Sequence, residues 1–159
     1  MSRWYRESIK QGQTSPNYLA AFAVNCINPI SVDLNRPLTI LDVGCGSGEQ
    51  FSNISNRVGL EKFSKKLGIE WSPSAVKKHQ TKSIFDQVVH CESDRLPFAD
   101  QEFDIVTSVE NLEHLYAEDV RLAVEELKRV ADYVILITPL PVDVINYQFL
   151  NREIAEASA

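Results

Sequence analysis

An apolar run, Leu38–Val43, leads directly into glycines at three alternate positions, Gly44, Gly46 and Gly48, before a helical pattern begins near Glu49. A backbone that must turn sharply and lie against a ligand needs residues without a Cβ, because a side chain would fill the space. The same glycines leave N–H groups free at the start of the next helix, where polar or anionic groups are favoured. This strand–turn–helix unit commits the chain to an α/β fold and marks a nucleotide- or cofactor-binding turn. At 159 residues the chain is one domain, large enough to bury a core.

Strand and helix patterns alternate along the rest of the chain. From Pro16, Tyr18, Leu19, Phe22, Ala23, Cys26 and Ile27 recur at helical spacing. The spacing predicts a helix ending near Asn28-Pro29, since proline disfavours helix in the residue before it; Ser31–Pro37 then reads as a polar connector. Strands are expected at Leu38–Val43, Leu67–Glu70, Gln87–Cys91, Phe103–Val109 and Tyr133–Thr138. Between them, helices are expected over Glu49–Val58, Leu60–Lys66 and Ala117–Val130, with one more starting at Ser72-Pro73-Ser74, where serine caps and proline is tolerated in the first turn. Near-continuous apolar strands separated by helices predict a mainly parallel sheet of about five strands covered on both faces, a Rossmann-like three-layer sandwich. Ligands in such sheets sit outside the carboxyl ends of the strands. The chain divides into an N-terminal arm and helix on the acceptor side (1–37), a core (38–139) and a short C-terminal tail or helix (140–159).

The net charge of −6 argues against a generic nucleic-acid or anionic-membrane binder. Lys62, Lys65, Lys66, Lys77, Lys78 and Lys82 gather locally and read as solvated outer helix faces. Cys26, Cys45 and Cys91 are odd in number and widely spaced, which disfavours a disulfide framework or a zinc site and fits a reducing compartment. No apolar run approaches a membrane span, and Met1–Arg6 lacks the apolar region of a signal peptide. The expectation is a cytoplasmic protein.

The glycine spacing is GxGxG, whereas the dinucleotide fingerprint is GxGxxG, with a small residue where Glu49 stands. No lysine follows Gly48, so the phosphate-binding P-loop is absent. Three further strand ends carry candidate ligand groups. Glu70 ends the second strand, where a carboxylate accepts hydrogen bonds from both ribose hydroxyls. Trp71 beside it either packs in the core or lies on an adenine face. Glu92 and Asp94, in Cys91-Glu92-Ser93-Asp94, are placed to accept a hydrogen bond from an exocyclic amino group, unless the stretch is simply a polar loop. Glu110-Asn111-Leu112-Glu113-His114 follows the fourth strand.

On these residues the chain resembles the class I S-adenosylmethionine-dependent methyltransferases of the small-domain type. The resemblance runs over about 38–139 and rests on Leu41–Gly48, Gly68–Ser72, Arg95–Phe98 with Phe103-Asp104, Glu110–Leu115 and Val134–Pro139. It implies S-adenosyl-L-methionine as cofactor and S-adenosyl-L-homocysteine as product, with a strand order of 3-2-1-4-5. It further implies that the turn (Gly44, Cys45, Gly46, Gly48) carries the methionine part beside Asp42 and that Glu70 holds the ribose. Adenine falls to Glu92 with the Ser93 N–H, Asp94 being the neighbouring alternative, and Glu110 lies on the cofactor side.

The reaction implied is attack by an acceptor O, N, S or C on a sulfonium methyl group, in which the enzyme mainly aligns the reactants and excludes water. His114 is the candidate catalytic base, just beyond the fourth strand; His79 and His90 sit in less suitable places. Glu110, Glu113 and His114 share a helical face at spacings of three and four and have the pattern of a hard-cation site. No histidine follows His114, and the reading preferred is Glu113 and His114 facing the acceptor with no metal assigned. After the fifth strand the family continues with a helix and two strands, yet only Leu140–Ala159 remain here. Strands six and seven are therefore expected to be missing, through a short sheet, a partner chain or a longer parent protein. The bare fifth-strand edge invites a homodimer or partner chain. Trp4, Tyr5, Tyr18, His114, Tyr116, Leu140, Tyr147 and Phe149 are the parts available for an acceptor pocket, aromatic and compatible with a small organic molecule. The absence of an Asn/Asp-Pro-Pro-Tyr/Phe sequence disfavours amino methylation of DNA bases or glutamine. The alternative is a cofactor-binding but catalytically silent partner subunit; a nucleotide-dependent oxidoreductase is disfavoured by the glycine spacing.

Overall fold

Five apolar segments form parallel strands: β1 (Leu38–Val43), β2 (Phe63–Glu70), β3 (Gln87–His90), β4 (Phe103–Val109) and β5 (Ala131–Pro139). A sixth, β6 (Ile145–Asn151), runs antiparallel along β5, with Tyr147 opposite Ile137. The sheet order is β3-β2-β1-β4-β5-β6, so the expected 3-2-1-4-5 arrangement is present with one strand added. The computed structural model describes residues 17–79, 84–139 and 145–151. The arm at 1–16, including Trp4 and Tyr5, lies outside the described residues, as do Lys82 and Leu140.

Helices α1 (Asn17–Leu34), α2 (Glu49–Val58), α3 (Pro73–His79) and α4 (Ala117–Val130) lie around the sheet. Successive strand residues point to opposite faces, which splits the core in two. Ile40, Ile105 and Ile135 pack with Leu19 and Ile27 of α1 and Phe51 and Ile54 of α2. Leu41, Val106 and Val134 pack with Ala123, Leu127 and Val130 of α4. All seven residues of β4 are buried, as a central strand covered on both faces requires.

Three boundaries differ from expectation. Helix α1 continues through Pro29 to Leu34. Ile27 is fully buried and Ile30 nearly so, and this apolar face holds the helix on the sheet past the lost backbone donor. The second helical stretch is only a 3₁₀ turn, Leu60–Lys62, and β2 begins at Phe63, whose ring is buried near Phe51 with centroids 6.1 Å apart. Most consequentially, residues 145–151 are neither a helix nor a loose tail. They supply β6, which pairs with β5 from Pro139 to Tyr133. The strand-five edge is thus already occupied, which corrects the bare edge expected there for a partner: among the described residues the edge strands are β3 and β6.

At the amino ends of the central strands, Asp104 of β4 accepts hydrogen bonds from the Thr39 N–H (2.7 Å) and hydroxyl (3.0 Å) of β1 and from the Arg36 guanidinium. The lysine cluster is partly neutralised within the chain. Lys65 pairs with Glu102 at 2.9 Å and Lys66 with Asp86 at 3.4 Å, and both stand on strand β2 and are partly covered, which corrects the solvated helix face expected for them.

Candidate active site

The three glycines after β1 all adopt left-handed backbone, with φ of 78°, 52° and 77° at Gly44, Gly46 and Gly48. Their surroundings differ. A Cβ on Gly44 would overlap the Asn111 side chain, and one on Gly48 would lie 2.7 Å from the His79 ring. At Gly46 a Cβ would meet open space, with nothing nearer than the Gly44 carbonyl at 4.0 Å. The turn is therefore packed by protein at both ends and clear in the middle. Cys45 is buried beneath it, its sulfur against the backbone of Gly68 on β2, and burial raises its thiol pKa far beyond the nucleophilic range.

Glu70, at the carboxyl end of β2, is 2% exposed. One carboxylate oxygen accepts the Gly46 N–H at 2.9 Å and the other the Ser72 N–H at 2.8 Å. The sequence pointed to ribose hydroxyls as its partners; in the fold its first task is to join the glycine turn to the end of β2. The Trp71 N–H adds a third backbone donor to the same carboxylate, which leaves part of its four-lone-pair acceptor capacity over. Burial raises the pKa of Glu70, and burial also raises that of Asp42, to about 7, with Glu70 adding repulsion and the Thr107 hydroxyl, 2.7 Å away, opposing the rise.

Trp71, Glu92, Ser93, Asn111 and His114 line one cleft of about 50 Å³ at the carboxyl ends of β2, β3 and β4, closed by Leu115 and Asp119. Asn111 is its hinge piece. Its side-chain N–H group donates to the hydroxyls of Ser93 (3.3 Å) and Ser108 (3.2 Å), while the same side chain packs on the Gly44 face. Asp94 and Glu110 do not line this cleft. Glu110 follows β4 in a left-handed conformation (φ 49°) and donates its N–H to the Ile137 carbonyl at 2.7 Å. A shallower hollow of about 670 Å³ on α1, lined by Asn25, Asn28, Pro29, Val32 and Asp33, lies away from the strand ends.

Beyond β4, the Thr138 hydroxyl of β5 donates to Glu113 at 3.0 Å, and the other Glu113 oxygen lies 3.9 Å from His114 Nε2. Burial pushes Glu113 up to about 7 and His114 down to about 4. Both groups are therefore held towards their uncharged forms. Among the described residues, no three His, Cys, Asp or Glu side chains gather in a way that could hold a metal ion.

Residues 41–132, more than half of the chain, match the model of a protein family described as "Methyltransferase domain". The chain belongs to the methyltransferase domain family. A rice protein (Oryza sativa subsp. japonica) named "Probable tocopherol O-methyltransferase, chloroplastic" is 34% identical over 102 residues, covering 60% of this chain and 26% of its own. Among solved structures, CalS10, an amino pentose methyltransferase from Micromonospora echinaspora bound to S-adenosylmethionine, superposes with a TM-score of 0.65 at 20% identity, over 92% of this chain and 61% of its own. A chain of the Haloferax volcanii complex between the Trm112 methyltransferase activator and a methyltransferase gives 0.65 at 21% identity, over 94% and 69%. This methyltransferase domain thus spans about a quarter of the rice protein's length.

Within the methyltransferase domain, the fold brings Gly44, Cys45, Gly46, Gly48, Glu70 and Trp71 together around the β1 and β2 ends. It also joins Trp71, Glu92, Ser93 and His114 in one cleft. Sequence reasoning passed over three residues that organise this region. Asn111 is one; its amide links two loops that lie far apart in sequence. The others are histidines set aside as poor catalysts: His79 donates from Nε2 to the Gly46 carbonyl at 2.8 Å, and His90 from Nε2 to the Trp71 carbonyl at 2.6 Å. No local pattern announces a side chain whose partner is a backbone carbonyl on another element.

Proposed function

We propose that this methyltransferase domain binds S-adenosylmethionine across the carboxyl ends of β1, β2 and β3 and moves its methyl group to a small or medium-sized organic acceptor. The observation that carries the reading is the Gly46 cradle: the central glycine of the turn keeps clear the space that a Cβ would take, directly beside the buried Glu70 carboxylate. The residues present fit the cofactor. The cradle takes the methionine part beside Asp42, the acceptor capacity left on Glu70 takes a ribose hydroxyl, and Trp71, Glu92 and Ser93 form the walls for adenine, with Asp94 and Glu110 at the margins. S-adenosylmethionine supplies a methyl group already activated for displacement. The chain's own residues then have to hold the acceptor in line and keep water out.

His114 is assigned to the acceptor side. Its ring is uncharged at neutral pH because burial lowers its pKa to about 4. A group that weak does not ionise an alcohol beforehand. It suits accepting a proton from an oxygen or nitrogen made acidic as the new bond to carbon forms. A small organic acceptor is supported by the names of the rice relative and of CalS10, and by the net charge of −6. Among the described residues no helix is long and apolar enough to cross a membrane, and the three free cysteines support a reducing compartment such as the cytoplasm.

Calorimetric titration with S-adenosylhomocysteine and with NAD tests the cofactor assignment. Binding of the first and not the second is expected, and tight NAD binding with no response to the adenosyl ligand would overturn it. A methyl-transfer screen against phenols, amino sugars and thiols, with His114→Ala alongside, then tests the acceptor side.

A further inference from the structure

We propose that His79 is a positioning residue for the cofactor turn, fixing the Gly46 peptide through a hydrogen bond from its Nε2–H. The inference rests on the reading of that turn as the cofactor's. His79 ends α3 and is 6% exposed. Its Nε2 lies 2.8 Å from the Gly46 carbonyl oxygen, which can only accept, so the ring proton sits on Nε2. In the preceding peptide unit, the N–H of the same glycine is taken by Glu70 at 2.9 Å. Both polar groups of a single glycine are thus held by side chains from the β2–α3 unit, while Gly46 adopts φ +52°. A left-handed turn persists when its surroundings over-determine it, and here two side chains do so. Because the peptide is trans, fixing the Gly46 carbonyl towards His79 also turns the Ser47 N–H to the opposite side.

Packing alone does not account for an imidazole at this position. The ring fills the space that a Gly48 Cβ would need and meets Phe85 edge-on at 5.5 Å between centroids. A phenyl group would do both. The imidazole instead leaves Nδ1 buried with no hydrogen-bond partner among the described residues, which is unfavourable. What the imidazole adds is the donor at Nε2. A turn ordered before the ligand arrives loses less conformational freedom on binding.

Three variants and two measurements decide the matter. His79→Phe keeps the packing and removes the donor, His79→Gln restores a donor, and Glu70→Ala reports on the site itself. With S-adenosylhomocysteine in the calorimeter, His79→Phe is expected to bind roughly tenfold more weakly and His79→Gln within roughly threefold of the unaltered protein. Amide hydrogen exchange over residues 44–48 should accelerate in His79→Phe and not in His79→Gln. Unchanged affinity and exchange in His79→Phe, with Glu70→Ala weakened, would overturn the role of His79. If the unaltered protein does not bind the ligand, the cofactor reading fails, while the exchange comparison still decides whether His79 holds the turn. Should His79→Phe not fold, His79→Gln decides alone: near-original affinity supports the role, and more than a tenfold loss overturns it.

Discussion

Arg36 and Asp104 meet in a two-pronged ion pair at the end of the sheet opposite the glycine turn. Asp104 also takes the Thr39 N–H and hydroxyl, so one buried carboxylate joins the connector before β1 to the start of β4. Burial works against its ionisation, yet the guanidinium and the Thr39 donors together hold its pKa below the usual carboxylate value. Replacing Asp104 by alanine strands those donors and should destabilise the domain by about 2–4 kcal/mol. Affinity for S-adenosylhomocysteine should persist in the folded fraction, because this end of the sheet is remote from the turn. Chemical denaturation followed by calorimetry checks both halves; equal loss of stability and affinity would tie the pair to the site instead.

Two glycines of the turn should fail in different ways. At Gly44 a methyl group collides with Asn111, so Gly44→Ala is expected to lower the melting temperature and to disturb the Asn111–Ser93 contact. At Gly46 the space is open, and Gly46→Ala pays only the left-handed backbone strain of about 1 kcal/mol. Its larger effect should be on ligand affinity, since the methyl group enters the cradle. Parallel thermal melts and titrations separate the cases, and Gly46→Ala binding like the unaltered protein would place the ligand elsewhere.

Arg129 acts at a distance on the loop proposed above to face adenine. From α4 it donates to the backbone carbonyls of Leu96 (3.0 Å) and Phe98 (2.7 Å), while its neighbour Glu126 accepts the Leu96 N–H at 2.7 Å. The loop that begins at Glu92 and Ser93 is thereby pinned at its far end. Arg129→Ala should cost about 1–3 kcal/mol, a fall of several degrees in melting temperature for a domain of this size. Faster amide exchange at 95–100 is the specific sign; unchanged exchange there would mean the loop is held by other contacts.

Glu113 gives the stability a pH signature. Its pKa in the fold is raised to about 7 by burial, so its contribution is fully present below the unfolded value near 4.5 and is lost as the pH rises through 7. An uncharged amide removes that loss. Glu113→Gln should therefore be more stable than the unaltered protein at pH 8, by an amount on the order of 3 kcal/mol, and not at pH 4.5. The Thr138 hydroxyl keeps an acceptor in the variant. Melts at the two pH values suffice, and parallel curves for the two proteins would show that Glu113 is not held protonated.

Much of this was legible in the residues themselves. Phe103–Val109 and Ala117–Val130 were readable to the residue, because four large apolar residues in a seven-residue stretch and a long helical period leave little choice. The glycine turn announced itself because backbone geometry dictates the residue type directly. Helix α1 beyond Pro29 was not readable; local propensity opposes it and only burial of Ile30 against the core supports it. Nor was β6, whose pairing depends on β5 as a template. In the site, the carboxylates at strand ends stood out by position. Asn111 and His79 act through partners contributed by other segments, a relation that only the folded chain displays.

The two acids buried at the glycine turn have a directional consequence. Asp42 and Glu70 repel each other there, and they accept hydrogen bonds from neutral donors, the Thr107 hydroxyl for Asp42 and the Gly46 and Ser72 N–H groups for Glu70, with His79 the basic side chain whose charge opposes the repulsion. A ligand bearing positive charge relieves that repulsion, and one that becomes neutral in the course of reaction ceases to do so. The two buried acids therefore favour a ligand that carries positive charge over a neutral one of the same shape.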